Sequence, residues 1–243
     1  MSYRGECGYD GSVPMTEQPI RWAAELSQVK EVSLRGTAEL EYWRRRLEPE
    51  ALAPLERNSK AEVLVIAAEG RFRGITFREV GFSVSVVPPQ DVKASEAVYL
   101  LRAYNSNRFF AWCERTFFST PYCHGVVRVD ASIPASIGLL VDHRTFFHAG
   151  MGEADVPPAT GTDGGWDGAV LLPRNKRGRR KLFFARIRGR TETYPFQGSA
   201  TLHLSAKHDP QALQDLVDSH FSATTWELRP DATHVKSKTY ARD

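Results

Sequence analysis

Apolar and polar residues alternate in short runs along most of the chain, the period of half-buried β-strands rather than of long helices. Residues 31–43 (EVSLRGTAELEYW) alternate through Val32, Leu34, Ala38, Leu40 and Tyr42. Residues 44–56 (RRRLEPEALAPLE) follow with the Leu47, Leu52, Leu55 spacing of a short helix interrupted by prolines. Four more strand-like runs come next, at 61–70 (AEVLVIAAEG), 75–87 (ITFREVGFSVSVV), 96–105 (EAVYLLRAYN) and 125–133 (GVVRVDASI). The second of these sets Ile75, Phe77, Glu79 and Gly81 against Thr76, Arg78, Val80 and Phe82 and closes on two prolines. Between the third and fourth, residues 107–118 (NRFFAWCERTFF) switch to helical period, with Phe109, Phe110, Trp112, Cys113 and Phe117 largely on one side, and the proline of STPY ends the helix.

The second half is more plainly β. SIGLLVDHRTFFHAG, GAVLL, KLFFARIRGRTETYPF and SATLHLSAK read as strands, and DPQALQDLVDSHF reads as a helix with Asp209 as N-cap and Pro210 at its first position. THVKSKTYA supplies a last strand. About ten strands with two or three helices and no βαβ alternation predict an α+β domain, a large antiparallel sheet or barrel with packed helices. Residues 1–30 show no clear period beyond a short helical stretch at 20–27 (IRWAAELS) and are expected to form an N-terminal arm, leaving 31–243 as a single domain.

Composition adds limits rather than a function. The chain has 243 residues, 42% hydrophobic and 25% charged, enough for a sizeable core. It holds no run of about eighteen apolar residues and no apolar leader, so no membrane association is expected and a cytoplasmic location is. Three cysteines, Cys7, Cys113 and Cys123, form no CxxC pair, which fits a reducing compartment. Removing the six basic residues of PRNKRGRRK (173–181) from the net charge of +3 leaves −3, so one loop is basic rather than the protein. That loop lies between two apolar β runs and carries no aromatic for base stacking. It reads as a charged hairpin tip, and nucleic acid is not an expected partner.

Nucleotide-binding glycine motifs, HExxH and GxSxG are all missing from the sequence. GTDGGWDG (161–168) precedes a strand rather than a helix and is expected to be a surface loop. No metal or other cofactor is expected: in DHRTFFH, His143 and His148 differ by five positions, which puts them on opposite faces of a strand. What remains are charged residues inside apolar runs, Glu79, Glu114, Arg115 and His124. They form either structural ion pairs or the polar lining of a ligand cavity.

The order of these features resembles the acetoacetate decarboxylase-like superfamily. The resemblance rests on GTAELEYWRRRLEPEALAPLE, on FRGITFREVGFSVSV as a glutamate-bearing strand, and on NRFFAWCERTFFSTPYCHGVV as the central signature. The signature is nearest to the uncharacterised YqjF-like branch. The resemblance implies a large, curved antiparallel sheet forming an open barrel around a central cavity. Where the decarboxylases carry a lysine pair that forms a Schiff base with a β-keto acid, this chain reads Pro121, Tyr122, Cys123, His124. The remaining lysines, Lys236 among them, read as loop or polar-end residues, so lysine chemistry is not expected.

By the same resemblance Glu79, Glu114 and His124 are the candidate catalytic residues, and Arg44, Arg45, Arg46, Arg115 and Tyr122 the candidates for holding substrate. The expected function is a cavity that binds a small carboxylate or carbonyl compound, as a binding protein or a lyase-type enzyme, with a homo-oligomer left open. The alternative is a non-catalytic interaction domain whose barrel is plugged by its four Phe-Phe pairs, at 109–110, 117–118, 146–147 and 183–184.

Overall fold

A computed structural model describes residues 19–152, 161–175, 178–205 and 211–242. In chain order the elements are β1 (Trp22–Glu39), α1 (Leu40–Leu47), β2 (Glu56–Arg57), β3 (Lys60–Phe72), β4 (Ile75–Val86), β5 (Ala97–Asn105) and α2 (Arg108–Cys113). They continue with β6 (Tyr122–His124), β7 (Val126–Asp130), β8 (Ser136–Val141), β9 (Arg144–Gly150), β10 (Gly161–Leu171), β11 (Arg180–Pro195) and β12 (Thr201–Leu204). The chain finishes with α3 (Gln211–Asp218), β13 (Ser222–Ser237) and β14 (Tyr240–Arg242). None of the described helices is long and apolar enough to cross a membrane.

The large sheet runs β1-β13-β11-β10-β5-β4-β3-β2, with β14 beside β11 and β6 beside β5. It is antiparallel except at β10–β5 and β5–β6. Because β1 pairs with β3 from Lys30↔Glu69 to Glu39↔Lys60 as well as with β13, the seven long strands return on themselves around a central space. The expected curved sheet around a cavity is therefore present, with two parallel pairings added. A second sheet, β12-β9-β8-β7, packs outside it.

Strand alternation sorts the side chains between two interiors. Val32 and Leu34 of β1, Val63 and Val65 of β3, and Phe82 of β4 point outward into the main core. There they meet Trp43 and Leu47 of α1, Ile137 and Leu139 of β8, and Phe147 of β9. The intervening residues, Leu64, Val98, Leu100, Ala103, Val170 and Phe183, form a separate apolar surface that faces the barrel interior.

Two local expectations are corrected. The helical stretch at 20–27 is strand instead: β1 begins at Trp22 and pairs with β13 from Trp22↔Ser237 onward, so long-range pairing overrides a weak local period. Residues 1–18 of the expected arm lie outside the described residues, as do Asp209 and Pro210, the proposed cap of α3. The glycine-rich 161–168 is strand β10, not a loop. Its glycines are used for closeness: a Cβ on Gly165 would lie 2.0 Å from the Ile187 carbonyl oxygen of β11, and one on Gly168 2.6 Å from that of Glu96.

The basic 173–181 segment does connect β10 to β11 as a tip, with Lys176 and Arg177 outside the described residues. Part of it is committed inward. Arg180 is only 4% exposed and reaches Glu50 at 2.9 Å, and Lys181 donates to Ser119 Oγ at 2.8 Å.

Candidate active site

The barrel encloses a cavity of about 490 Å³. It persists because many inward positions are small: Ser33, Ala68, Gly81, Ser83, Ala103 and Ala185 all lie on its wall. The plugged-barrel arrangement is not what the Phe-Phe pairs make. Phe183 lines the cavity and Phe184 points to the opposite core, while Phe146 and Phe147 pack between the two sheets. The other two pairs, from α2 and the π-helical turn Glu114–Phe118 that continues it, form the rim. Phe109 and Phe117 are 60% and 65% exposed there although both also line the cavity.

The α2 segment is held by its cap and its exit. Asn107 Oδ1 accepts the backbone N–H groups of Phe109 and Phe110, and Asn107 N donates in turn to Asn105 Oδ1. Ser119, at φ 58°, turns the chain out, and Thr120 Oγ1 then donates to Glu114 Oε2 at 2.8 Å. Glu114 is thereby aimed into the cavity from one turn before the exit.

Glu79 reaches the same space from β4. Its Oε2 accepts the Tyr122 hydroxyl at 3.0 Å and Asn105 Nδ2 at 3.4 Å. Burial first, and then the neighbouring Glu114 charge, push the Glu79 carboxyl above its ordinary value. Burial and the same two carboxylates push the Tyr122 phenol well up. Thus Glu79, Glu114 and Tyr122 are brought together at the cavity.

The other candidates are not on the cavity wall. His124 ends β6 exposed, and Arg115 is exposed on the outer side of the π-helical turn. Arg44, Arg45 and Arg46 sit on α1, across the sheet from the cavity. Arg44 pairs with Glu56 at 2.9 Å, Arg45 bonds the Glu41 carbonyl, and Arg46 pairs with buried Asp215 at 3.1 Å. They are placed there because Leu40, Trp43 and Leu47 turn the apolar stripe of α1 onto the outer core.

One residue dismissed on sequence is central. Lys236 is not in a loop: it lies in β13, between Ala24 of β1 and Ala185 of β11, and its side chain enters the cavity. Nζ lies 2.5 Å from Glu114 Oε2 and 4.5 Å from the ring centres of both Phe118 and Phe183. An ammonium among apolar rings is held by its carboxylate partner and by the negative ring faces. The sequence signal was faint, a lysine at the inward parity of an alternating run.

A second polar group at the cavity wall was also missed. Glu31, fully buried, accepts Ser33 Oγ at 3.0 Å, the Arg229 guanidinium, and His234 Nε2 at 2.6 Å. Burial alone would raise the Glu31 carboxyl, but the hydrogen bond from His234 and the positive charge of Arg229 outweigh it and lower the value to about 2. Beside it Arg35 joins Glu62 at 2.8 Å and Glu227 at 3.0 Å. Every arginine and lysine on the cavity wall thus already has a carboxylate: Arg35, Arg229, Lys236, and Arg186 with Asp167 at 2.7 Å. Among the described residues no group of three or more side chains is arranged to hold a metal ion.

No family model matches the chain, and no curated protein matches it. Solved structures do. An acetoacetate decarboxylase superposes with a TM-score of 0.62 at 15% identity, over 96% of this chain and 95% of that one. The enduracididine biosynthesis enzyme MppR complexed with pyruvate gives 0.61 at 15%, over 98% of each chain. The acetoacetate decarboxylase of Legionella pneumophila gives 0.59 at 14%, over 99% of this chain and 98% of that one. The fold is that of the acetoacetate decarboxylase-like proteins.

Proposed function

We propose that the barrel binds a small uncharged carbonyl compound and that Lys236 joins it covalently as an imine. The observation that carries this reading is the Lys236 amine inside an apolar, aromatic-walled cavity with a carboxylate in contact with it. For attack on a carbonyl carbon the ammonium must first release a proton, and Glu114 is placed to take it. The C–N bond forms, the carbonyl oxygen becomes a hydroxyl, and that hydroxyl leaves as water when an acid protonates it. Glu79, whose carboxyl keeps its proton to higher pH than usual and is hydrogen-bonded to Tyr122, supports the acid step.

Charge pairing argues for an uncharged ligand. A ligand carboxylate would have to displace a protein carboxylate from Arg35, Arg186, Arg229 or Lys236, whereas a ketone or aldehyde meets a wall that is mostly apolar. A cavity of about 490 Å³ falls in the usual range for small-molecule sites, roughly 300–1,000 Å³. The pyruvate complex of MppR supports carbonyl binding in this fold while concerning that protein alone. The 107–125 signature supports membership of the YqjF-like branch, and in this reading the amine comes from β13.

The test is reductive trapping. The protein incubated with cyclohexanone and borohydride is expected to gain the mass of one cyclohexyl group, and Lys236→Ala is expected to gain none. A wild-type protein that stays unmodified, or equal labelling of the variant, rules the reading out.

A further inference from the structure

His234 lies two residues before Lys236 on β13, so both side chains project from the same face of the strand, about 6–7 Å apart along it. Both line the cavity. The imidazole is held from behind: Nε2 meets Glu31 Oε2 at 2.6 Å, and Glu31 is itself fixed by Ser33 and Arg229. A carboxylate on Nε2 fixes the ring proton there and leaves the lone pair on Nδ1. No protein hydrogen bond engages Nδ1 among the described residues. The imidazole and the Glu79, Glu114, Lys236 group line one cavity.

Resting on the imine reading above, we propose that His234, oriented by Glu31, is a catalytic base that moves a proton at the carbon next to the imine carbon. The step balances without a further reactant. The imine reacts in the protonated form left when water departs: Nδ1 takes the proton from that carbon, the C–H electron pair becomes a C=C bond, and the C=N pair returns to the positively charged Lys236 nitrogen, giving a neutral enamine and an imidazolium. Return of a proton to the carbon reverses the step. The site would therefore act on ketones and aldehydes that carry a hydrogen on the adjacent carbon, and its basic reaction is enamine formation rather than loss of carbon dioxide.

The experiment follows replacement of the α-hydrogens of cyclohexanone by deuterium in D₂O, read by proton NMR in phosphate buffer, with borohydride trapping run in parallel. Wild-type protein is expected to exchange faster than buffer. His234→Gln is expected to lose about a hundredfold of that rate, the lower end for a general base, while still trapping cyclohexanone on Lys236, which shows that the cavity is intact. Lys236→Ala is expected to lose both. Trapping in the wild type without exchange above buffer, or exchange by His234→Gln at the wild-type rate, overturns the role of His234 and leaves the imine standing. Failure of the wild type to trap removes the imine, and the proposal with it.

Discussion

Gly81 offers a way to close the cavity without disturbing the barrel. It lies on β4 with its open side toward the cavity, and a Cβ added there would meet only Leu100 Cδ1, at 3.6 Å, an ordinary contact distance. Its backbone is not in the left-handed region, so a side chain brings no strain. Gly81→Leu places four carbons in the apolar part of the cavity. At about 0.8 kcal/mol per buried carbon this stabilises by up to ~3 kcal/mol, with about 0.5–1 kcal/mol more from removing a strand glycine. Imperfect fit offsets part of this, commonly 1–3 kcal/mol where packing is tight. The expected net is a gain of about 1 kcal/mol, or a rise in Tm of roughly 2–4 °C for a chain of this size. Ligand capture should move the other way, with the trapping yield for cyclohexanone falling at least tenfold. Scanning fluorimetry gives the first quantity and intact mass the second. A Tm lowered by several degrees would refute the packing argument, and undiminished trapping would refute the placement of the ligand in this cavity.

Arg229→Met leaves Glu31 buried with one charged partner fewer and is expected to cost about 3–5 kcal/mol, read as a lower urea midpoint. Acid should act on the same group: with Glu31 held near 2 when folded and near 4.5 when unfolded, its contribution is complete above about pH 4.5 and lost as pH falls toward 2. That contribution is on the order of 3 kcal/mol, and urea midpoints across this window check it. Glu114→Gln removes the proton acceptor of Lys236 and one of the two influences that raise Glu79. Slower imine trapping with a lower Glu79 titration midpoint is expected, the latter followed by carboxyl infrared absorption. Gly165→Ala, whose Cβ would sit 2.0 Å from a backbone oxygen, should destabilise the β10–β11 pairing strongly, seen as a lower Tm.

The strands of the first half were legible because their alternation is strong and their partners are near in sequence, as for β3, β4 and β5. The α2 helix was legible from its aromatic period and its Asn107 and Pro121 boundaries. Glu79 and Glu114 could be found because a carboxylate in an apolar run has to be explained. Lys236 could not, because THVKSKTYA carries polar residues on both faces. Only its lodging between β1 and β11, strands far away in the chain, decides which face is inside. The same distance hid Glu31, which reads as an ordinary charge at the start of a strand until Arg229 and His234 are folded against it. His124 misled for the converse reason: it sits beside a strong motif, yet the strand ends there and leaves the ring in solvent.

The central claim is the proposal that Lys236, on β13, supplies the amine that captures a carbonyl compound in this barrel. Proteolytic peptide mapping of the wild-type protein after trapping with cyclohexanone and borohydride tests it most directly. The adduct is expected on the peptide containing Lys236 and on no other. A label spread over surface lysines such as Lys30 and Lys60, with Lys236 unmodified, would contradict it.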